Sequence, residues 1–203
     1  MNRYALQKRS FSKKRDYSMK AVVLHGSPRR GGNSDTLAEH FIRGLETAGK
    51  IQTWDFYANE MSIRPCQGCE HCQTSVDNSC AIKDDMQQIY SVFGDADIVV
   101  FTTPMYWGYM TAQLKTVVDR MEALAMNPEK YFVDKHFVII LTYRHHYQST
   151  VAFFERIKIF FRFRLSVLTF CSLDEASQRD VHVTSCPEKL EEAYRLGITL
   201  AMP

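Results

Sequence analysis

Short apolar runs alternate with helical-period stretches along the whole chain. Lys20 followed by Ala21-Val22-Val23-Leu24 reads as a buried strand over residues 20–25. Leu37, Phe41, Ile42 and Leu45 then recur at helical spacing and predict a helix over 35–48, closed by Gly49. Ile51 to Tyr57 alternates as a second strand, and an irregular loop follows from about 58 to 83. Asp84-Asp85 opens a helix whose inner face is Met86, Ile89, Tyr90 and Phe93. Asp97 to Thr103, with Ile98-Val99-Val100-Phe101, is a strand apolar on both faces. A loop over 104–109 leads to a helix over 111–124 with Leu114, Val117, Val118, Met121 and Leu124 on one stripe. After the Asn127-Pro128 loop, Lys135 to Tyr143 is a fourth strand, 148–162 a helix and Leu165 to Leu173 a fifth strand. Pro187 starts a final helix running to about Leu200.

Five strands alternating with five helices predict an α/β fold, a doubly wound parallel sheet with helices on both faces. Ligands of such sheets lie beyond the carboxyl ends of the strands, at the switch point of the strand order. The loops after strands one, three and four are therefore the site-forming loops. No internal repeat or inter-domain linker interrupts the pattern.

Charge divides the chain in two. Residues 1–18 hold six basic side chains against Asp16 alone, whereas the remainder carries three net negative charges. The stretch 1–18 reads as a disordered basic extension, with a transit peptide as the alternative, ahead of one domain over 19–203. An acidic body gives no nucleic-acid surface, and no apolar run is long enough to span a bilayer. Without an apolar export segment the expected location is cytoplasmic, and the six cysteines are expected as reduced thiols or metal ligands.

The loop after strand one is Gly26-Ser27-Pro28-Arg29-Arg30-Gly31-Gly32-Asn33-Ser34. A strand that feeds such a loop into a helix N-terminus makes an anion site, because the first helical amides have no internal partner. Gly32-Asn33 replaces the lysine-hydroxyl pair of a P-loop, and no G-x-G-x-x-G turn is present. A site for a single phosphate remains, beside the plainer alternative of a capped connector. After strand three, Pro104-Met105-Tyr106-Trp107-Gly108 offers flat aromatic surfaces next to backbone amides, which fits a planar heteroaromatic ligand or a cap on the core.

Gly-Ser-Pro-Arg, then Gly-Asn-Ser opening a helix, then Pro-x-Tyr-Trp, Gln113-Leu114-Lys115 and Asp119-Arg120, resemble the NADPH-dependent FMN reductase-like branch of the flavodoxin-like superfamily over residues 19–200. The resemblance implies a flavodoxin-like fold and FMN as cofactor. Ser27, Arg29, Asn33 and Ser34 would hold the FMN phosphate, and Pro104, Met105, Tyr106, Trp107 and Gly108 would flank the isoalloxazine. Thr142, Tyr143 and Arg144, after strand four, would form the third wall. Bulky Arg144-His145-His146 departs from the small, glycine-containing residues usual there. Arg144 reads either as a partner for the N1–C2=O edge of reduced flavin or as part of a solvated polar loop. Lys115 and Asp119 read as a surface i,i+4 ion pair.

Cys66-Gln67-Gly68-Cys69-Glu70-His71-Cys72, with Cys80 seven intervening residues further on, sets three thiols at x2 spacing on one compact loop. That arrangement fits a 4Fe–4S cluster, which takes four cysteines. A metal-free thiol loop and a zinc site are the alternatives. The loop looks like that of the iron–sulfur flavoproteins. Cys171 and Cys186 read as isolated thiols.

The expected function is an FMN-dependent oxidoreductase taking hydride from NAD(P)H and reducing a small acceptor such as a quinone, a free flavin or a nitro or azo compound. The alternatives are an iron–sulfur electron carrier fed by a ferredoxin-like protein and a non-enzymatic flavin-binding protein. The aromatic excess of helix 148–162 (Phe153, Phe154, Phe160, Phe161) predicts a homo-oligomer interface, with a membrane-surface helix as the lesser alternative.

Overall fold

A computed structural model describes residues 18–202, so the basic extension lies outside the described residues except for Ser18. In chain order the elements are β1 (Met19–His25), α1 (Asn33–Ala48), β2 (Ile51–Tyr57), α2 (His71–Thr74), α3 (Met86–Phe93), β3 (Ile98–Tyr106) and β4 (Tyr109–Met110). They continue with α4 (Ala112–Arg120), α5 (Glu122–Ala125), α6 (Pro128–Tyr131), β5 (His136–Tyr143), α7 (Gln148–Phe161) and β6 (Arg164–Cys171). A hairpin of β7 (Leu173–Asp174) and β8 (Arg179–Asp180) precedes α8 (Pro187–Ala201).

The sheet runs β2-β1-β3-β5-β6, all parallel, with β4 added antiparallel to β3. This is the flavodoxin-like strand order, and its switch point falls between β1 and β3. The central strands are apolar throughout because both faces are covered. Val22, Leu24, Val99, Phe101, Phe137 and Ile139 face α3, α4 and α7, which contribute Phe93, Leu114 and Phe154. Ala21, Val23, Val100, Val138 and Ile140 face α1 and α8, which contribute Leu37, Phe41 and Ala193.

Besides the short α2, α6, β7 and β8, which the sequence reading does not contain, three features differ from it. The stretch 104–109 is not an open loop: β3 runs on to Tyr106 and turns through Trp107-Gly108 into β4, with Met105 opposite Met110 and Tyr106 opposite Tyr109. The helix expected over 111–124 is divided at Met121 into α4 and α5. α1 begins at Asn33, two residues before the expected start, because Gly32 takes the cap position. On α7, Phe154 is buried while Phe153, Ile157 and Phe161 lean on the core. Ile159 and Phe160 are exposed.

Candidate functional site

Neighbouring strands bring the three loops together. His25 lies beside Thr102, and Pro104 lies beside Thr142, so the segments after β1, β3 and β5 emerge side by side at the carboxyl edge. The loop after β1 is fixed to the sheet through Gly26, whose N–H donates to the Thr102 carbonyl at 2.8 Å. Its carbonyl accepts from Thr111 Oγ at 2.6 Å. A Cβ at Gly26 would lie 2.6 Å from Leu114 Cβ, so only glycine lets the loop pass this close to α4.

Ser27 Oγ accepts from the Arg29 N–H at 3.1 Å and donates to the Arg29 carbonyl at 2.9 Å, tightening the turn. Gly31 is left-handed, φ 65°, and its N–H donates to Asp35 Oδ2 at 3.0 Å. α1 then opens on Gly32 with no side-chain cap, which leaves its first N–H groups to solvent or an anion. Arg30 is committed to a forked pair with Glu60 above the Tyr57 ring. The exposed Arg29 guanidinium has no ion pair or hydrogen bond among the described residues. Ser34 is buried, and its carbonyl accepts from Thr102 Oγ at 2.8 Å. Both ends of the Asn33 amide are used: Nδ2 donates to the Val181 carbonyl at 3.0 Å, and Oδ1 accepts from the Val183 N–H at 2.8 Å. Each end keeps one further site, a second N–H on Nδ2 and a second lone pair on Oδ1, but these two bonds fix the direction in which the amide points.

Two groups under this loop are not among the residues the sequence singled out. His25 is buried, with Nδ1 3.0 Å from Asp35 Oδ1 and Nε2 3.0 Å from Asp55 Oδ1, and its ring stacks on Tyr57 at 4.0 Å. Burial alone would lower its pKa, but the hydrogen bonds and charges of Asp35 and Asp55 together raise it above the ordinary 6.5. His182, from the segment after β8, has Nε2 3.3 Å from the Gly31 carbonyl. A polar residue ending an apolar strand was the only available hint for His25, and nothing local marks His182.

In the hairpin after β3, Trp107 and Gly108 both have positive φ, 51° and 74°. Such paired values define the tight type I′ connection between twisted strands. They leave Trp107 fully exposed and Tyr106 partly so, while Pro104 and Met105 are half-buried at the strand end. Ser149 Oγ holds the Gly108 carbonyl. In the third loop Thr142 is buried and Tyr143 packs on Tyr147 at 4.5 Å. Arg144 is occupied by the β7–β8 hairpin: Nε is 3.2 Å from Asp180 Oδ1, and Nη2 donates to the Gln178 carbonyl at 3.1 Å. His145 and His146 are exposed, their rings 6.3 Å apart.

Cys66, Cys69, Cys72 and Cys80 all line one cavity of about 390 Å³, together with Arg120 and Glu122. Left-handed Gly68, Glu70 and Asn78 bend the loop around it. Asn78 Nδ2 donates to the Cys72 carbonyl at 2.9 Å, and Lys83 Nζ to the Cys80 carbonyl at 3.0 Å. Among the described residues no three Cys, His, Asp or Glu side chains converge as a single metal ion would require, so the thiols line the cavity rather than meet in it. Cys171 is exposed and Cys186 half-buried, apart from this group. Lys115 and Asp119 form the expected pair on α4 at 2.5 Å.

A doubly wound sheet with an uncapped helix N-terminus and an aromatic hairpin at its switch point defines a flavodoxin-like protein. The family described as NADPH-dependent FMN reductase matches residues 19–169, and the chain belongs to it. An iron–sulfur flavoprotein of Archaeoglobus fulgidus is 38% identical over 114 residues, 56% of each chain. One of Methanosarcina thermophila is 33% identical over 102 residues, 50% of this chain and 52% of the relative. The chain thus spans about half the length of the curated relatives it matches. The solved NAD(P)H:quinone oxidoreductase of Methanothermobacter marburgensis shares the fold, with TM-score 0.64 at 18% identity, covering 92% of this chain and 98% of the other. No helix of the described residues is long and apolar enough to cross a membrane.

Proposed function

We propose that the chain is an FMN-dependent oxidoreductase that takes electrons from NAD(P)H and passes them to a small acceptor. The observation that carries this reading is the uncapped start of α1 beside Arg29, whose guanidinium has no partner among the described residues, facing the edge where the Trp107 hairpin emerges. The donor set fits the cofactor. Its phosphate would take the first N–H groups of α1, the Ser34 hydroxyl and Arg29, with Ser27 holding the turn. Pro104 to Gly108 and Thr142-Tyr143 would flank the flavin ring, with Trp107 covering an exposed face. Bound FMN supplies the electron chemistry, and the protein positions and shields it. Arg144 is already anchored to Asp180, so its charge reaches the site only if that pair opens.

The cysteine cavity favours a second electron centre. Four thiols on one cavity are the ligand set of a 4Fe–4S cluster, and the match to iron–sulfur flavoproteins supports that reading over zinc. Cys66, Cys69, Cys72 and Cys80 would hold the cluster, opening a route for electrons from a ferredoxin-like partner. The family assignment favours NAD(P)H as the donor.

Anaerobic protein is titrated with FMN by fluorescence and then mixed with NADPH. Arg29→Ala removes a charge-assisted bond of about 1.5–3 kcal/mol, a roughly 10- to 100-fold loss of FMN affinity. Unchanged affinity removes Arg29 from the site, and bound flavin that NADPH does not bleach overturns the reductase reading. Cys69→Ala is expected to abolish iron binding while FMN stays bound; iron at the parent level overturns the cluster placement.

A further inference from the structure

Arg120 ends α4 and is fully buried. Its Nη1 donates to the Arg64 carbonyl at 2.8 Å and to Asp84 Oδ2 at 2.7 Å. Its Nη2 donates to the Ile82 carbonyl and to Asp84 Oδ1, each at 3.2 Å. Arg64 lies two residues before Cys66 and Ile82 two residues after Cys80, so one guanidinium fastens both ends of the cysteine loop. Asp84 is itself fixed, accepting from the Arg64 N–H at 2.9 Å and the Met86 N–H at 3.1 Å. The Arg120 Nε–H remains. It is shut off from solvent and has no acceptor among the described residues, although the same side chain lines the cavity with all four cysteines. Folded proteins rarely leave a buried charged donor unmatched, and each case points to a strained, functional or unfilled position.

The geometry points to Arg120 as the residue that sets the reduction potential of a cluster in this cavity, its Nε–H donating to a cluster or thiolate sulfur. This rests on the cluster reading above. Reduction adds one electron and one negative charge, with no bond made or broken. A fixed N–H donor at the sulfur favours the more negative form and raises the potential. Removing the donor therefore lowers it, and neutralising Asp84 while Arg120 stays raises it.

The test is anaerobic reconstitution of the full chain with ferrous iron and sulfide, iron analysis, and a dithionite titration followed by electron paramagnetic resonance. R120K keeps the charge but loses the fixed Nε–H; its midpoint is expected to fall by about a tenfold change in the one-electron equilibrium, ~59 mV. D84N is expected to shift the midpoint the other way, an opposition that general loosening of the loop does not produce. Wild-type protein that fails to take up four irons removes the cluster reading, and this assignment with it. Four irons with an unmoved R120K midpoint, or both variants moving the same way, overturns Arg120 alone. Should R120K lose its iron, D84N decides: a rise supports the assignment, no rise overturns it. Iron lost from both variants assigns the pair to loop folding only and overturns the proposal.

Discussion

His25 is a buried imidazole and His136 a half-buried one, and their surroundings shift them in opposite directions. Both ring nitrogens of His25 face carboxylate oxygens at 3.0 Å. A carboxylate accepts and does not donate, so this geometry favours the ring with both nitrogens protonated. Burial opposes that charge, but Asp35 and Asp55 outweigh it and the folded pKa lies above 6.5. No acid among the described residues pairs with His136; burial first, then Arg164, pulls its pKa down to about 4, and its Nε2 sits 2.9 Å from Ser166 Oγ. In the unfolded chain both groups titrate near 6.5. As pH rises above that value, folded His25 keeps its proton longer than the unfolded chain, so stability falls through its raised pKa. Between about 4 and 6.5 the unfolded chain binds the extra proton at His136, so stability falls as pH drops. The lowered carboxyls of Glu60, Asp77, Asp84 and Asp174 add to the acid limb only as pH falls through and below their unfolded values, about 4–4.5. Thermal melts across pH should peak near 6.5. His25→Asn should flatten the alkaline limb and His136→Asn the acid limb. An alkaline limb unchanged in His25→Asn would assign it to another group.

Elements show where local chemistry and packing disagree. Trp107 holds a φ of 51°, a region that asparagine and glycine enter far more readily. Trp107→Asn should relieve roughly 1 kcal/mol of backbone strain and raise the melting temperature by about 2–4 °C. It should also weaken FMN binding, because the aromatic surface is gone. A variant that melts lower without FMN would refute the strain account. Gly44 and Gly197 make the opposite case, where α1 and α8 touch backbone to backbone: a Cβ on Gly197 would lie 2.1 Å from the Phe41 carbonyl. Alanine gains up to about 1 kcal/mol of helix propensity, but separating the helices costs about 1–3 kcal/mol. Gly197→Ala should therefore lower the denaturation midpoint in urea, and a rise would show that the helices move apart freely. Periodicity made the long elements legible, since apolar spacing of 3.6 or 2 reports which faces are buried. The Trp107 turn was not legible, because a tryptophan at positive φ is no turn signal. Two-residue strands such as β7 and β8 have no period to read. The cysteines were visible from their spacing, whereas Asp119-Arg120 was visible only as part of the family motif, and nothing local tied Arg120 to the cysteine loop that closes over it.

At the scale of the whole molecule, alternation and right-handed crossovers made the sheet legible, and with it the meeting of segments 26–34, 104–108 and 142–144, far apart in sequence. Contacts that depend on how chain segments return were not legible: Asn33 to the 181–183 turn, His182 to Gly31, Arg144 to Asp180. Two of them, at Asn33 and Arg144, engage side chains that the motif gives to the ligand, so the proposed site leans on the α1 amides and Arg29. Such a site also links the loops of β1, β3 and β5 through the ligand, because no side chain among the described residues spans all three. FMN that binds only the folded chain at 100 times its Kd adds about 2.7 kcal/mol, which for a chain of this length is roughly 5–11 °C in melting temperature. Removing FMN should lower the melting temperature by that amount. The same FMN should stabilise Arg29→Ala far less at equal concentration, while iron held as proposed at the cysteine cavity should stay, because that cavity is lined by α4 and α5 and not by α1. Melting curves with and without FMN, paired with iron analysis, read both quantities. Equal stabilisation of parent and Arg29→Ala would place the phosphate elsewhere, and iron lost together with FMN would show that the two sites fold as one.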